Sequence, residues 1–255
     1  MACGDPSDTD CDNPDTCDGG GGCAPNLEGA GHACGDPSDS QCDHPDTCDG
    51  GGGCLDNLAA DGTACDDVDF CTGNDQCAGG VCVGTPVVLA PTVEGISCRH
   101  LRVMPHTAFS SGRVALLVTS PTWPCLHKYV SADGRLVPLS GRVFRLASEW
   151  GSIIVQDPDI FPSSTYFVQE ECGAYLSPPG VDDTWRWGDV NNDGRVDGID
   201  VTLMVEAFEG YFQAITLEAA DLYPCIPDHK INGLDVTVDV EAFEGFPYYC
   251  SPPCH

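Results

Sequence analysis

Positive charge is what this chain has least of. Lys and Arg together number 10 against 40 Asp and Glu, for a formal net charge of −30. So acidic a surface repels phosphate, which argues against nucleic acid as a partner. It favours solubility and divalent cations instead. The chain also lacks any run of 18 apolar residues, so no segment reads as a membrane-spanning helix. Catalytic signatures are missing as well: there is no G-x-S-x-G, no H-E-x-x-H and no glycine-rich phosphate loop. The seven His are scattered at 32, 44, 100, 106, 127, 229 and 255. Paired acids for glycoside hydrolysis do not stand out from an acidic solvated face. The expectation is no enzyme activity in this chain, with a catalytic domain further upstream left open.

Residues 3–82 are short of Val, Ile, Leu and Phe and rich in cysteine, holding 12 of the 18 Cys in the chain. Zinc sites present C-x2-4-C pairs, often with His. Here the dominant gap is five residues, with others of four, seven and ten. That spacing points to a disulfide framework and an extracytoplasmic compartment. "CGDPSDTDCDNPDTCDGGGGC" (3–23) returns as "CGDPSDSQCDHPDTCDGGGGC" (34–54), and "CDDVDFCTGNDQCAGGVC" (65–82) is a divergent third copy. The repeats are therefore 3–33, 34–64 and 65–82. Four Cys per repeat suffice for two bridges each, in one of three pairings. With so little to bury, covalent staples must replace a core, and an extended, loop-rich stalk is expected. The chain opens inside the first repeat, without the charged stub and apolar stretch of an export signal, so a fragment or trimmed start is expected.

"CDNPDTCDG" resembles the C-D-x-P-E-x-C-x-G stretch of disintegrin-like domains, and the array resembles Cys-rich repeats of secreted bacterial surface proteins. The first resemblance implies adhesion. The plainer reading of these Asp residues is solvated turns.

Residues 83–95 read as a linker, with Pro and Gly breaks and no Cys. Over 96–180 short apolar runs recur between turns, as in "GRVALLVTS", "HKYVSADGRLVPL" and "GSIIVQD", which predicts an all-β sandwich. "IFPSSTYFVQEE" (160–171) resembles the L-x-P-x-T-x-Y-x-V segment of fibronectin type III domains. The resemblance implies that Tyr166 forms a tyrosine corner. Cys98, Cys125 and Cys172 fall here, an odd number that leaves one long-range or unpaired. Trp123, Trp150, Trp185 and Trp187 suit either a sugar platform or packing, and "TWRWGD" at a module junction favours packing.

"DVNNDGRVDGID" (189–200) places Asp189, Asn191, Asp193, Asp197 and Asp200 at positions 1, 3, 5, 9 and 12 of a twelve-residue loop, with Gly194 at position 6. Calcium needs six to eight hard oxygens from a flexible loop that turns sharply at its sixth residue. Val196 is expected to contribute a backbone carbonyl. A helix is predicted to leave the loop and end near Gly210. "GLDVTVDVEAFEG" (233–245) repeats "GIDVTLMVEAFEG" (198–210), and no helix is evident before either loop. Ahead of the second copy Asp228, Asn232 and Asp235 match the first loop. Asp221 stands fourteen residues before Asp235 where eleven are needed, and His229 replaces the glycine. A remodelled second loop that binds calcium weakly or not at all is expected, with Cys225 tied to Cys250 or Cys254.

The tandem loop–helix over 187–246 resembles the type I dockerin module of cellulosomal and bacterial surface proteins. The resemblance implies structural calcium and a cohesin-like protein, or another cell-surface component, as partner. Gly198–Ile199 and Gly233–Leu234 stand where many dockerins carry polar cohesin-reading residues, which puts a typical cellulosomal partner in doubt. The sequence thus reads as a multidomain protein: disulfide-rich repeats (1–82), a β-sandwich (96–180), a small α-helical calcium-binding module (187–246) and a Cys-containing tail (247–255). The leading expectation is a secreted or cell-surface, non-catalytic scaffold protein. The alternatives are the C-terminal part of a polysaccharide-degrading protein and a calcium-dependent adhesin.

Overall fold

The computed structural model describes residues 3–106 and 112–253. The chain divides into two compact units, Met1–Pro86 and Val87–His255.

The first unit is three β-hairpins in series. They are β1 (Asp12–Cys17) with β2 (Cys23–Leu27), β3 (Asp43–Cys48) with β4 (Cys54–Leu58), and β5 (Thr72–Ala78) with β6 (Val81–Pro86). Their turns are made by glycines held by one carboxylate. Asp18 accepts the N–H groups of Gly20 and Gly22 at 2.8 and 2.9 Å, and Asp49 does the same for Gly51 and Gly53 at 2.6 and 3.0 Å. These bonds to the charged form hold both carboxyls below the usual range. Gly19 and Gly21 sit at φ +78° and +96°, where a Cβ would be strained.

The bridges differ from two closed pairs per repeat. The first Cys of each repeat joins its fourth, as Cys3–Cys23, Cys34–Cys54 and Cys65–Cys82. The second Cys reaches the third Cys of the next repeat, as Cys11–Cys48 and Cys42–Cys77. The reason is local. Cys48 and Cys54 end paired strands face to face, but the Asp36 loop folds back on Asp46 (Asp36 N–H to Asp46 Oδ2, 2.9 Å) and brings Cys34 to Cys54 instead. Cys11, Cys34 and Cys48 cluster out of solvent, a sulfur core in place of an aliphatic one.

The second unit opens with a sandwich of two sheets. One holds β7 (Thr92–Gly95), β8 (His100–Met104) and β13 (Ile153–Gln156), in the order β13-β8-β7. The other is built on β9 (Arg113–Thr119) and β14 (Thr165–Cys172). β10 (His127–Val130), β11 (Leu136–Val137) and β12 (Arg145–Leu146) extend it on one side; β15 (Tyr175–Leu176) and β16 (Gly180–Asp183) extend it on the other. A one-turn helix α1 (Ala147–Trp150) precedes β13. Strands therefore begin at Thr92, inside the stretch read as linker, and continue to Asp183.

Between the sheets lie Leu101, Val103, Val114, Leu116, Val118, Val155 and Val168, all fully buried. β9 is apolar without alternation because its second face is covered too: Ala115 and Leu117 pack with Tyr129, Val137 and Phe144. The Tyr166 hydroxyl accepts the Phe161 N–H at 2.7 Å and donates to the Asp159 carbonyl at 2.9 Å, which is the tyrosine corner of a fibronectin type III-like sandwich.

The tryptophans are dispersed as packing groups. Trp150 donates to the Val114 carbonyl, Trp123 to Ser164 Oγ and Trp185 to the Gly95 carbonyl. Trp187 packs on Tyr248 and Tyr249. They form no shared platform.

Candidate metal centre

Three helices complete the second unit: α2 (Gly198–Phe208), α3 (Leu217–Ala220) and α4 (Gly233–Phe243). α2 packs on α4. α2 stops two residues before Gly210, which sits at φ +93°. α3 precedes the second loop, where no helix was expected. Its signal was the N-cap Thr216, whose side chain accepts the Ala219 N–H at 3.2 Å.

The first loop is organised around carboxylates at its two ends. Asp189, buried, accepts the N–H of Gly194 at 2.9 Å and of Asp193 at 3.1 Å. Asp200, fully buried, accepts Val190 N–H at 3.0 Å through Oδ1 and Asp197 N–H at 2.9 Å through Oδ2. Asp197 caps α2 by accepting the Ile199 N–H at 2.8 Å, and with Asp200 it forms a capping box. Asn191 and Asp193 hold the turn by accepting the N–H groups of Asp193 and Arg195. Gly194 turns it at φ +86°. Burial and the nearby Asp200 charge push the Asp189 carboxyl above its usual range. Five oxygen-bearing side chains without sulfur or imidazole form a donor set for a hard cation, and the buried, mutually repelling acids fit calcium.

One assignment needs correction. Numbered from Asp189, the seventh residue is Arg195 and the eighth is Val196, so the backbone carbonyl of position 7 belongs to Arg195. Val196 is half-buried, with Gly188, Trp187 and Ala242 as neighbours. It is a packing residue.

The second loop repeats the first with three more residues. Asp221 Oδ2 accepts the His229 N–H at 2.7 Å, as Asp189 does for Gly194. His229 takes the same left-handed turn, at φ +57°. Asp235 accepts from Leu222 and Tyr223 through Oδ1 and from Asn232 through Oδ2. Asn232 caps α4, and Asp228 accepts the Lys230 N–H. Asp221 therefore stands in the position of Asp189 despite the longer spacing. Cys225, in the extra segment, is bonded to Cys250; Cys254 lies outside the described residues. Ile226 stands 35 residues after Asn191 and brings no side-chain oxygen. Burial pushes the Asp221 carboxyl up to about 6. The His229 bond and the Arg99 charge oppose this, and Asp235 and Asp228 add to it.

What sequence reading missed is where the module's core comes from. Cys98 of the sandwich packs among Val190, Met204, Ala207, Ala219, Ala220, Leu222 and Val238. It is a free, buried thiol that burial pushes up to about 12. Next to it the buried Arg99 reaches the second loop. Burial and the Arg99 charge hold His100 neutral, down at about 3. The tail folds back as well: Tyr248 packs on Phe161 and Trp187, and Tyr249 donates to the Leu222 carbonyl at 2.9 Å.

Residues 187–238 match the model of the dockerin type I domain. No curated protein sequence matches the chain. Among solved structures, the sensor domain of the anti-sigma factor RsgI4 in Pseudobacteroides cellulosolvens is similar at 13% identity and a TM-score of 0.25, over 39% of this chain and 93% of that one. The fn3 domain of human contactin 1 follows at 12% and 0.28, over 50% and 94%. Domains d3–d4 of the rat CD45 extracellular region follow at 18% and 0.22, over 40% and 52%. Residues 187–238 therefore form a dockerin-like module, in a chain that also holds a sandwich with a tyrosine corner and a disulfide-rich array. Dockerin and disulfides together point to an extracellular protein. No helix among the described residues is long and apolar enough to cross a membrane.

Proposed function

We propose that this is a secreted, non-catalytic modular protein whose first dockerin loop takes one structural calcium ion and whose helices dock a cohesin-like protein. The observation that carries the reading is the burial of Asp189 and Asp200 at the two ends of one loop, near enough that, beyond burial itself, the Asp200 charge raises the Asp189 carboxyl. Asp189, Asn191, Asp193 and Asp200 would hold the ion with the Arg195 carbonyl, and Asp197 would act through water. Calcium there offsets the repulsion of buried acids, so binding free energy becomes folding free energy.

The duplicated helices support docking through apolar contacts. Ile199 and Leu234 are 56% and 51% exposed, and Phe208 and Phe243 are 52% and 51% exposed. They recur at equal spacing along α2 and α4. A partner reading them must present an apolar face.

Calorimetric calcium titration of the whole chain tests the ion. One equivalent bound, with slower amide exchange across 189–200, is the expected result. No binding, or binding unaffected by Asp189→Ala, sinks the reading. For the partner, Ile199→Asp combined with Leu234→Asp is expected to weaken cohesin capture at least tenfold with calcium uptake intact.

A further inference from the structure

The two loops share a frame but not a cation. Where the first loop is lined by oxygens alone, the second meets the Arg99 side chain of the sandwich. Its guanidinium donates from Nη1 to the Pro224 carbonyl and from Nη2 to the Asp221 carbonyl, each at 2.5 Å. Nη2 also lies 3.7 Å from Asp221 Oδ1, with both side chains almost wholly out of solvent. Among the described residues Asp221 Oδ1 has no hydrogen-bond partner. The charge facing it is the guanidinium.

A calcium loop needs its first-position carboxylate and a third-position oxygen turned to one ion. Here Ile226 brings no oxygen, and a buried cation already faces Asp221. A dication placed beside this guanidinium in a buried site would be strongly repelled. The donor set of the second loop therefore does not fit calcium.

We propose that Arg99 is the resident cation of the second loop: it takes the place of calcium there and locks the dockerin module to the sandwich. Arginine suits the task because its planar fork satisfies two carbonyls while its charge, permanent at any working pH, answers the carboxylate. The Cys225–Cys250 bridge closes the extra segment alongside. One half of the module then folds with calcium and the other folds without it. The second half is formed only where Arg99 is present, so the module is not a freely tethered plug. The proposal rests on the calcium reading for the first loop alone.

Amide exchange of the full chain in chelator, then in calcium, tests it. In the wild type, 221–232 should exchange slowly in chelator and change less than about threefold on adding calcium, while 189–197 slows markedly. Arg99→Gln should speed exchange of 221–232 by at least about a hundredfold in chelator, as expected when a buried charge loses its partner. Arg99→Lys should fall between, since an ammonium cannot reproduce the fork. Strand 113–119 reports whether the sandwich is intact. If Arg99→Gln fails to fold, the wild-type comparison still decides. Slow exchange at 221–232 only after calcium, two equivalents of comparable affinity in the wild type, or no change in a folded Arg99→Gln would overturn the proposal. Failure of the first loop to bind calcium would remove the function reading and leave this result in chelator intact.

Discussion

Asp200 accepts the backbone N–H of Val190 at 3.0 Å, so the residue that closes the first loop is tied to the backbone just after Asp189, which opens it. Its other oxygen takes the Asp197 N–H. This carboxylate is therefore structural before any ion arrives. Asp200→Ala is expected to orphan the buried Val190 N–H and the part-buried Asp197 N–H and to cost on the order of 2–4 kcal/mol of stability even in chelator. It should also abolish calcium binding. Asp193 is exposed, so Asp193→Ala should weaken calcium binding while shifting stability in chelator by less than about 0.5 kcal/mol. Denaturant titrations with and without calcium separate the two variants, and equal losses in chelator would refute the distinction.

Glu170 makes a pH prediction inside the sandwich. It is fully buried, accepts the His106 N–H at 2.5 Å, and is pushed by burial up to about 7 from 4.5. Because the folded value is raised, this group favours the fold below pH 4.5, and that contribution is lost as pH rises through about 7. The loss is at most about 3 kcal/mol. Glu170→Gln is expected to be more stable than the wild type at pH 8 and to lose that advantage at pH 4. Denaturation midpoints of both proteins in calcium at the two pH values check it. A variant destabilised equally at both would show that the carboxyl is held charged.

The repeat array predicts a cleavage result. Glu28 lies between Cys23 and Cys34, and Cys11–Cys48 spans it. Cutting after Glu28 with a glutamate-specific protease should leave residues 1–28 attached until a reductant is added. Mass spectrometry before and after reduction reads this directly. Release without reductant would mean that each repeat closes its own bridges.

Much was legible along the chain because the interactions concerned are short in sequence. The glycine turns held by Asp18 and Asp49, the Asp189–Asp200 frame, the α2 N-cap at Asp197 and the Tyr166 corner each close within about a dozen residues. Their residue types and spacing carry the geometry. The carbonyl of position 7 belongs to Arg195, and Val196, one residue on, packs with Trp187 and Ala242.

Tertiary structure decided the rest. Nothing in the spacing of Cys11 and Cys48 favours them over nearer partners; the fold-back of each repeat's leading loop selects them. Three extra residues separate Asp221 from Asp235, yet these buried ends keep the same kind of backbone partners as Asp189 and Asp200, while Cys225 in the extra segment is bonded to Cys250. Cys98 and Arg99 belong to the dockerin core although they lie some ninety residues before it. A short acidic module with few apolar residues cannot fill its own interior, and the sandwich supplies both the missing volume and the missing charge.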